Sequence, residues 1–136
     1  MKKIIPVLLI LVMLFSCSST PNNKSNGGTG NAVNDNLFAA AKEINKKCPM
    51  VVDEFTRMDS ATVYNEYMIT YHYTVPTINS KDVDLAKFKT SMETSMNAKY
   101  KTDAQLAVYR DNNIAIAYDY KDKNGEFLCY FICGSK

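Results

Sequence analysis

The stretch Ile114–Cys133, IAIAYDYKDKNGEFLCYFIC, alternates its side chains as two neighbouring β-strands do. The large residues of its first half recur at every second position and form one face: Ile114, Ile116, Tyr118 and Tyr120. Asn124-Gly125 then supplies the left-handed conformations that a hairpin turn requires. The second half, Glu126–Cys133, is apolar on both faces, which predicts a central strand of a sheet.

A second hairpin is predicted upstream of this one. Tyr67–Val75 alternates over nine positions, Asn65-Glu66 forms a tight turn before it, and Ser60–Tyr64 is the partner strand. Pro76 ends the pair because proline cannot donate to a strand ladder. The preceding residues, Met50–Asp59, are predicted to be an irregular connection in which Met50–Val52 could form a short extended piece.

Helical periodicity separates the hairpins. One helix is predicted from Asn36 to Cys48, capped by Asn34 or Asp35 and ended by Pro49. Another follows the hairpin, capped by Ser80. Its expected buried stripe is Leu85, Phe88, Met92 and Met96.

A short third helix, Asp103–Arg110, is predicted behind a capping box formed by Thr102 and Gln105. The order helix–hairpin–helix–hairpin predicts an α+β fold. We expect two layers, with a four-stranded, mainly antiparallel sheet and helices on one face.

The first residues are typical of an export signal. Lys2 and Lys3 precede the apolar run Ile4–Phe15, which is too short to span a membrane. Leu14, Ser16 and Cys17 then resemble the cleavage box of bacterial lipoprotein precursors. The resemblance implies a signal peptide over residues 1–16, a diacylglycerol on Cys17, and attachment to a membrane of the cell envelope, facing the periplasm or the cell surface. The alternative is an ordinary secreted protein in which Cys17 is incidental.

The residues after Cys17 divide into a linker and a domain. Residues 17–35 are rich in Ser, Asn and Gly and predict a flexible linker, and residues 36–136 predict one domain. The net charge of +2 includes the two lysines of the signal, so the mature chain is near neutral. This balance disfavours nucleic acid as a partner.

Three cysteines remain if Cys17 carries a lipid. Cys129 and Cys133 lie too far apart within one strand to pair, so any disulfide must include Cys48. We expect Cys48–Cys133, with Cys48–Cys129 and three free thiols as alternatives.

A metal site or a cysteine–histidine nucleophile with His72 is disfavoured, because the strand pattern separates these groups. No metal and no cofactor is predicted.

The densest polar cluster precedes the first hairpin and contains Asp53, Thr56, Arg57 and Asp59. An arginine flanked by carboxylates could clamp an anionic ligand, but such groups more often pair locally and bond to backbone donors. The structural interpretation is therefore preferred, and the ligand site is the alternative.

The segments Cys48–Asp53, Thr56–Ser60 and Tyr71–Thr74 resemble a group of small uncharacterised bacterial envelope proteins, and Asp111–Phe127 resembles their closing hairpin. The resemblance implies fold and location and carries no activity. Our first hypothesis is a non-enzymatic module that binds a protein or peptide in the envelope. The alternatives are an inhibitor or immunity-type protein, and a small-ligand or hydrolytic domain near Arg57.

The tyrosines offer a test of these hypotheses. Tyrosine combines apolar area with a polar tip, so an exposed group of tyrosines would favour a binding surface, while a buried group would be core. The informative positions are Tyr64, His72, Tyr118 and Tyr120.

Overall fold

The computed structural model describes residues 31–134. Its helices are α1 (Asn31–Lys47), α2 (Leu85–Thr102) and α3 (Ala107–Asp111). Its strands are β1 (Met50–Val51), β2 (Arg57–Tyr64), β3 (Met68–Val75), β4 (Ala115–Asp122) and β5 (Phe127–Cys133). The predicted signal peptide, Cys17 and most of the predicted linker lie outside the described residues.

The strands form one sheet in the order β1-β2-β3-β4-β5. All neighbouring pairs are antiparallel except β3 and β4, which are parallel because α2 and α3 carry the chain back across the sheet between them. The predicted α+β class is confirmed. The predicted count of four strands is wrong, because β1 adds a fifth by pairing Met50 with Met58 and Val51 with Arg57.

The position predicted for the last strand is also wrong. β5 lies at the edge of the sheet rather than in its middle. Its sequence suggested a central strand because both faces are apolar, and one of these faces is covered by α2. The fifth strand, β1, lies at the opposite edge of the sheet, beside β2.

Helix α1 begins at Asn31, earlier than the predicted Asn36, so Asn34 and Asp35 lie inside the helix and not at its N-cap position. Leu37 and Ala41 are buried in the core, as the periodicity indicated. The helix ends at Lys47, immediately before Cys48 and its cis peptide bond to Pro49.

The caps of the later helices differ from the predicted ones. Asp84, not Ser80, caps α2 by accepting a hydrogen bond from the Lys87 N–H, while Ser80 begins a 3₁₀ turn, Ser80–Asp82. Thr102 is helical, and Asp103 accepts from the Gln105 N–H in its place. Aspartate competes well for these positions because its charge also favours a helix N-terminus.

The core lies between the helices and one face of the sheet. Leu37 of α1 and Met96 and Tyr100 of α2 pack on the inward side chains of β2–β5. Aromatic rings dominate this layer: Tyr73 and Tyr120 stack with centroids 5.1 Å apart, and Tyr118 stacks on Phe131 at 5.3 Å.

Within residues 31–134, no helix is both long enough and apolar enough to cross a bilayer.

Candidate protein-binding surface

The second face of the sheet points away from this core, and we call it the open face. Strand pleating and the observed register place one side chain in two on it. The side chains on the open face are mostly small or polar, whereas those on the inner face are largely aromatic. Its members on β2–β5 include Thr62, Tyr64, Met68, Thr70, His72, Thr74, Ala115, Ala117, Asp119, Tyr130 and Ile132.

Three of these side chains form a hydrogen-bonded row across neighbouring strands. The Thr62 Oγ1 lies 2.9 Å from Nε2 of His72, and Nδ1 of His72 lies 2.9 Å from Oδ2 of Asp119. A hydroxyl, an imidazole and a carboxylate occur in this order in hydrolases, where an oxyanion hole stands beside the hydroxyl. Here the neighbouring backbone groups belong to the sheet ladder, so we interpret the row as a tie between β2, β3 and β4.

The predicted cluster around Arg57 is divided by the fold. Asp53 lies in the connection between β1 and β2, where its Oδ1 accepts from the Phe55 N–H at 2.8 Å, and the backbone of Thr56 closes the same turn. Arg57 donates from Nε to Asp59 at 2.6 Å, and Asp59 also accepts from the Thr74 hydroxyl at 2.5 Å. The guanidinium and its carboxylate are thus paired with each other, and a ligand role for the cluster stays a prediction.

The predicted disulfide is not formed. Cys48, Cys129 and Cys133 are free thiols. The strand order explains why: Cys48 precedes β1 at one edge of the sheet, whereas the other two lie on β5 at the opposite edge. Several strand spacings of about 4.8 Å separate these edges, beyond the limit of about 7 Å between the Cα atoms of a disulfide.

Burial governs the chemistry of the thiols and of most tyrosines. It raises the pKa of both Cys129 and Cys133 to about 11. It also raises the pKa of Tyr73, Tyr118 and Tyr120 above the ordinary range. Neutral thiols are poor nucleophiles, and neutral phenols suit an apolar layer, so these groups are core components.

The tyrosines therefore differ in exposure, some being buried in the core and others open to solvent. Tyr118 and Tyr120 are 5% and 3% exposed and belong to the core, and His72 is half-buried within its row. Tyr64 and Tyr67, by contrast, are 61% and 65% exposed. An exposed aromatic surface exists, but it lies at one end of the sheet instead of along β4.

Backbone geometry creates this end surface. The β2–β3 connection has three residues, Asn65, Glu66 and Tyr67, and the first two have positive φ angles of 47° and 64°. Tyr67 was predicted to begin the strand, but it belongs to the turn, so its ring leaves the inner face of the sheet. The Ala115 N–H donates to the Tyr67 carbonyl at 2.8 Å and fixes the turn against the start of β4.

Around this turn lies a shallow groove that we call the turn groove. Its volume is about 420 Å³. It is lined by Tyr64, Asn65, Tyr67, Met68, Asn113, Ala115 and Gly134. The lining provides aromatic and thioether surface, two side-chain amides, and no carboxylate or cation. Such a surface can bury an apolar side chain and bond to a peptide backbone, but it offers no carboxylate, imidazole or amine for acid–base catalysis.

Sequence reasoning identified Tyr64 and missed most of the groove. Asn113 has a φ of 54° directly after α3. An asparagine behind a helix end is a known signal for this left-handed conformation, and the pair Asn112-Asn113 could have predicted it. Gly134 joins the groove only because β5 runs antiparallel to β4, which no local pattern shows.

Three comparisons relate the chain to known proteins. A family model described as "Domain of unknown function (DUF8479)" matches residues 32–129. No curated protein matches the chain.

Solved structures show the same fold at low sequence identity. One is a protein of Pseudomonas aeruginosa predicted to be secreted, with a TM-score of 0.61, 12% identity, and coverage of 79% of this chain and 94% of that one. Another is the pilotin EpsS of the Vibrio vulnificus type 2 secretion system, with a TM-score of 0.61, 9% identity, and coverage of 76% and 89%. The pilotin AspS of the Vibrio cholerae type II secretion system has a TM-score of 0.57, 12% identity, and coverage of 76% and 89%.

Proposed function

The chain belongs to the family of domains of unknown function DUF8479, and we propose that it is a lipid-anchored protein of the bacterial cell envelope that binds a segment of a protein partner. The observation that carries the proposal is the turn groove between Tyr64 and Tyr67. Both rings are exposed beside the apolar side chains of Met68 and Ala115, and an exposed apolar patch rimmed by polar groups is typical of protein-interaction sites.

The chemistry of the groove favours a peptide over a metabolite. A small-molecule site would enclose its ligand and would place a few charged groups around it. The turn groove is shallow, and its polar groups are the amides of Asn65 and Asn113 and the phenols. Amides can donate to and accept from a peptide backbone, while the rings provide contact area at low entropic cost.

The fold supports the same class of function. Two proteins with this fold are pilotins of type II secretion systems. The envelope location is part of the proposal and follows from the export signal and the resemblance of Leu14–Cys17 to a lipoprotein cleavage box. In this scheme the linker after Cys17 holds the domain near the membrane surface, and the turn groove receives the partner.

Site-specific photo-crosslinking in intact cells tests the binding surface. A photoreactive phenylalanine replaces Tyr67 in one variant and the exposed Ser91 of α2 in a control variant. We expect one dominant protein adduct from position 67 and none from position 91. The same adducts from both positions, or none from either, would contradict the proposed surface.

A second experiment measures the affinity for the partner protein that the crosslinking captures. Tyr67→Ala removes an exposed ring, so the melting temperature should stay unchanged while binding weakens by about tenfold or more, as expected for a central interface tyrosine. Ser91→Ala is the matched control and should bind as the native protein does.

Labelling with palmitate tests the anchor separately. Cys17→Ala removes the thiol that would receive the lipid, so the variant should lose acylation, which labelled palmitate incorporation measures. Unchanged palmitate incorporation in Cys17→Ala would refute lipidation at this residue and would leave the turn groove unaffected.

A further inference from the structure

Strand β5 has the sequence of a central strand and the position of an edge strand. No residue of Phe127–Cys133 is charged, and none is proline. Within the described part of the chain, β5 pairs with β4 alone. Natural edge strands are normally protected by charges, prolines, bulges or short length, because free backbone groups invite another chain.

The opposite edge shows how this chain protects a strand. There β1 covers only the start of β2, through Arg57 and Met58. Farther along β2, the side-chain amide of Asn45 forms hydrogen bonds with both backbone groups of Ala61. It donates to the carbonyl at 2.8 Å and accepts from the N–H at 2.7 Å. One edge is thus closed by a short strand and a side chain. The β5 edge differs: a register shift at Leu128 interrupts its ladder with β4 at one end, and from Cys129 to Cys133 the strand has no charge, no proline and no second strand partner among the described residues.

The residues of β5 also suit pairing with themselves. In an antiparallel pair centred on Tyr130, each Tyr130 faces its symmetry mate, and Cys129 faces Phe131 of the second copy. On the inner face, small residues therefore stand opposite large ones. Tyr130 is 38% exposed and lies on the open face, where two such rings can contact each other.

We propose that β5 pairs antiparallel with β5 of a second copy of this chain, so that the two sheets become one continuous sheet across a two-fold axis. This symmetry makes the interface self-complementary, and the absence of charge on β5 removes like-charge repulsion between the strands. The turn groove involves β2, β3 and the start of β4, so the inference does not depend on its function.

Light scattering on the whole detergent-solubilised chain tests the proposal. The native protein should show twice the protomer's protein mass. Tyr130→Lys places a charge at the centre of the edge and should reduce this mass to that of one protomer, whereas Thr62→Lys, on the same face but on β2, should leave it doubled. Circular dichroism melting confirms that both variants are folded. A native protein of protomer mass at every concentration would overturn the proposal.

Disulfide trapping provides a readout that does not need a stable dimer in detergent. Tyr130→Cys brings two new thiols face to face across the axis, at the Cα separation of about 4.5–5.5 Å that a disulfide accepts. Oxidation of membranes should give a reducible dimer for Tyr130→Cys and none for the exposed Thr62→Cys or the native chain. Equal trapping at both positions, or an adduct of Tyr130→Cys with a different protein, would reject self-pairing.

Discussion

Asn45 of α1 acts as a substitute strand for Ala61 of β2. Its side-chain amide forms both hydrogen bonds that a neighbouring peptide group would form, at 2.8 and 2.7 Å. Ala61 itself is 1% exposed, so these backbone groups have little access to water. The contact therefore completes the sheet at a point that β1 does not reach, and it fixes α1 relative to β2.

Removing this amide should destabilise the domain. Asn45→Ala deletes two hydrogen bonds at about 0.5–1.5 kcal/mol each, so we expect a loss of about 1–3 kcal/mol in the free energy of unfolding, measured by urea denaturation. Lys46→Ala is the control, because it removes only an exposed ion pair with Glu43 and should change the midpoint little. Equal midpoints for the two variants would show that water replaces the amide without cost.

Two glycines with nearly the same backbone angle separate conformational strain from steric overlap. Gly125 and Gly134 have φ angles of 82° and 83°. A Cβ at Gly125 would meet no atom within 4 Å, whereas one at Gly134 would overlap the ring of Tyr100. That ring cannot easily move, because its hydroxyl donates to the Ile114 carbonyl at 2.9 Å.

Gly125→Ala should therefore cost about 1–2 kcal/mol of unfolding free energy, the usual cost of a left-handed alanine. Gly134→Ala should cost about 1–3 kcal/mol more because of overpacking against Tyr100. Thermal and urea unfolding of the two variants measure the difference directly. Equal losses would mean that the end of β5 shifts to admit the methyl group.

Local patterns predicted most of the secondary structure. The alternation in Tyr67–Val75 and Ile114–Tyr120 identified β3 and β4, and the helical spacing of Leu37 and Ala41 identified the buried side of α1. These features follow from the period of each element. The two-residue strand β1 has no detectable period, and it is a strand only because β2 lies beside it.

The order of the strands and the position of the turn groove depended on information outside any local pattern. Apolar residues on both faces of β5 cannot reveal whether a neighbour comes from the same chain. The cysteine prediction failed for the same reason, because it used spacing within one strand and not the distance between the two edges. The three-residue turn at Asn65 changed the role of Tyr67 from strand residue to exposed ring.

The three free thiols within residues 31–134 should differ sharply in reactivity. Cys48 is half-buried, whereas Cys129 and Cys133 are buried, and burial raises their pKa to about 11. A maleimide at neutral pH should modify Cys48 first in the native protein and all three residues after denaturation without reductant, as mass spectrometry of peptides would show. A single reactive thiol in the denatured chain would restore the disulfide prediction.

Asp122 at the end of β4 connects two loops through one fully buried carboxylate. It accepts from the Ser80 N–H at 2.9 Å, the Asn124 N–H at 2.7 Å and the Glu126 N–H at 2.9 Å. These backbone donors, that of Ser80 above all, lower its pKa from 3.8 to about 2. The ionised carboxylate thus ties the crossover after β3 to the β4–β5 turn.

The lowered pKa of Asp122 predicts the direction in which the stability of the protein changes in acid. Because the folded pKa is lower than the unfolded one, the contribution of Asp122 to stability is complete above the unfolded value of 3.8 and is lost as the pH falls through about 2. Asp122→Asn should therefore be less stable than the native protein near neutral pH, and urea midpoints should converge as the pH falls from about 4 to about 2. Asp111→Asn, at an exposed position, is the control. A stability gap between the native protein and Asp122→Asn that stays constant down to pH of about 2 would show that the N–H cluster binds the neutral side chain as well as the charged one.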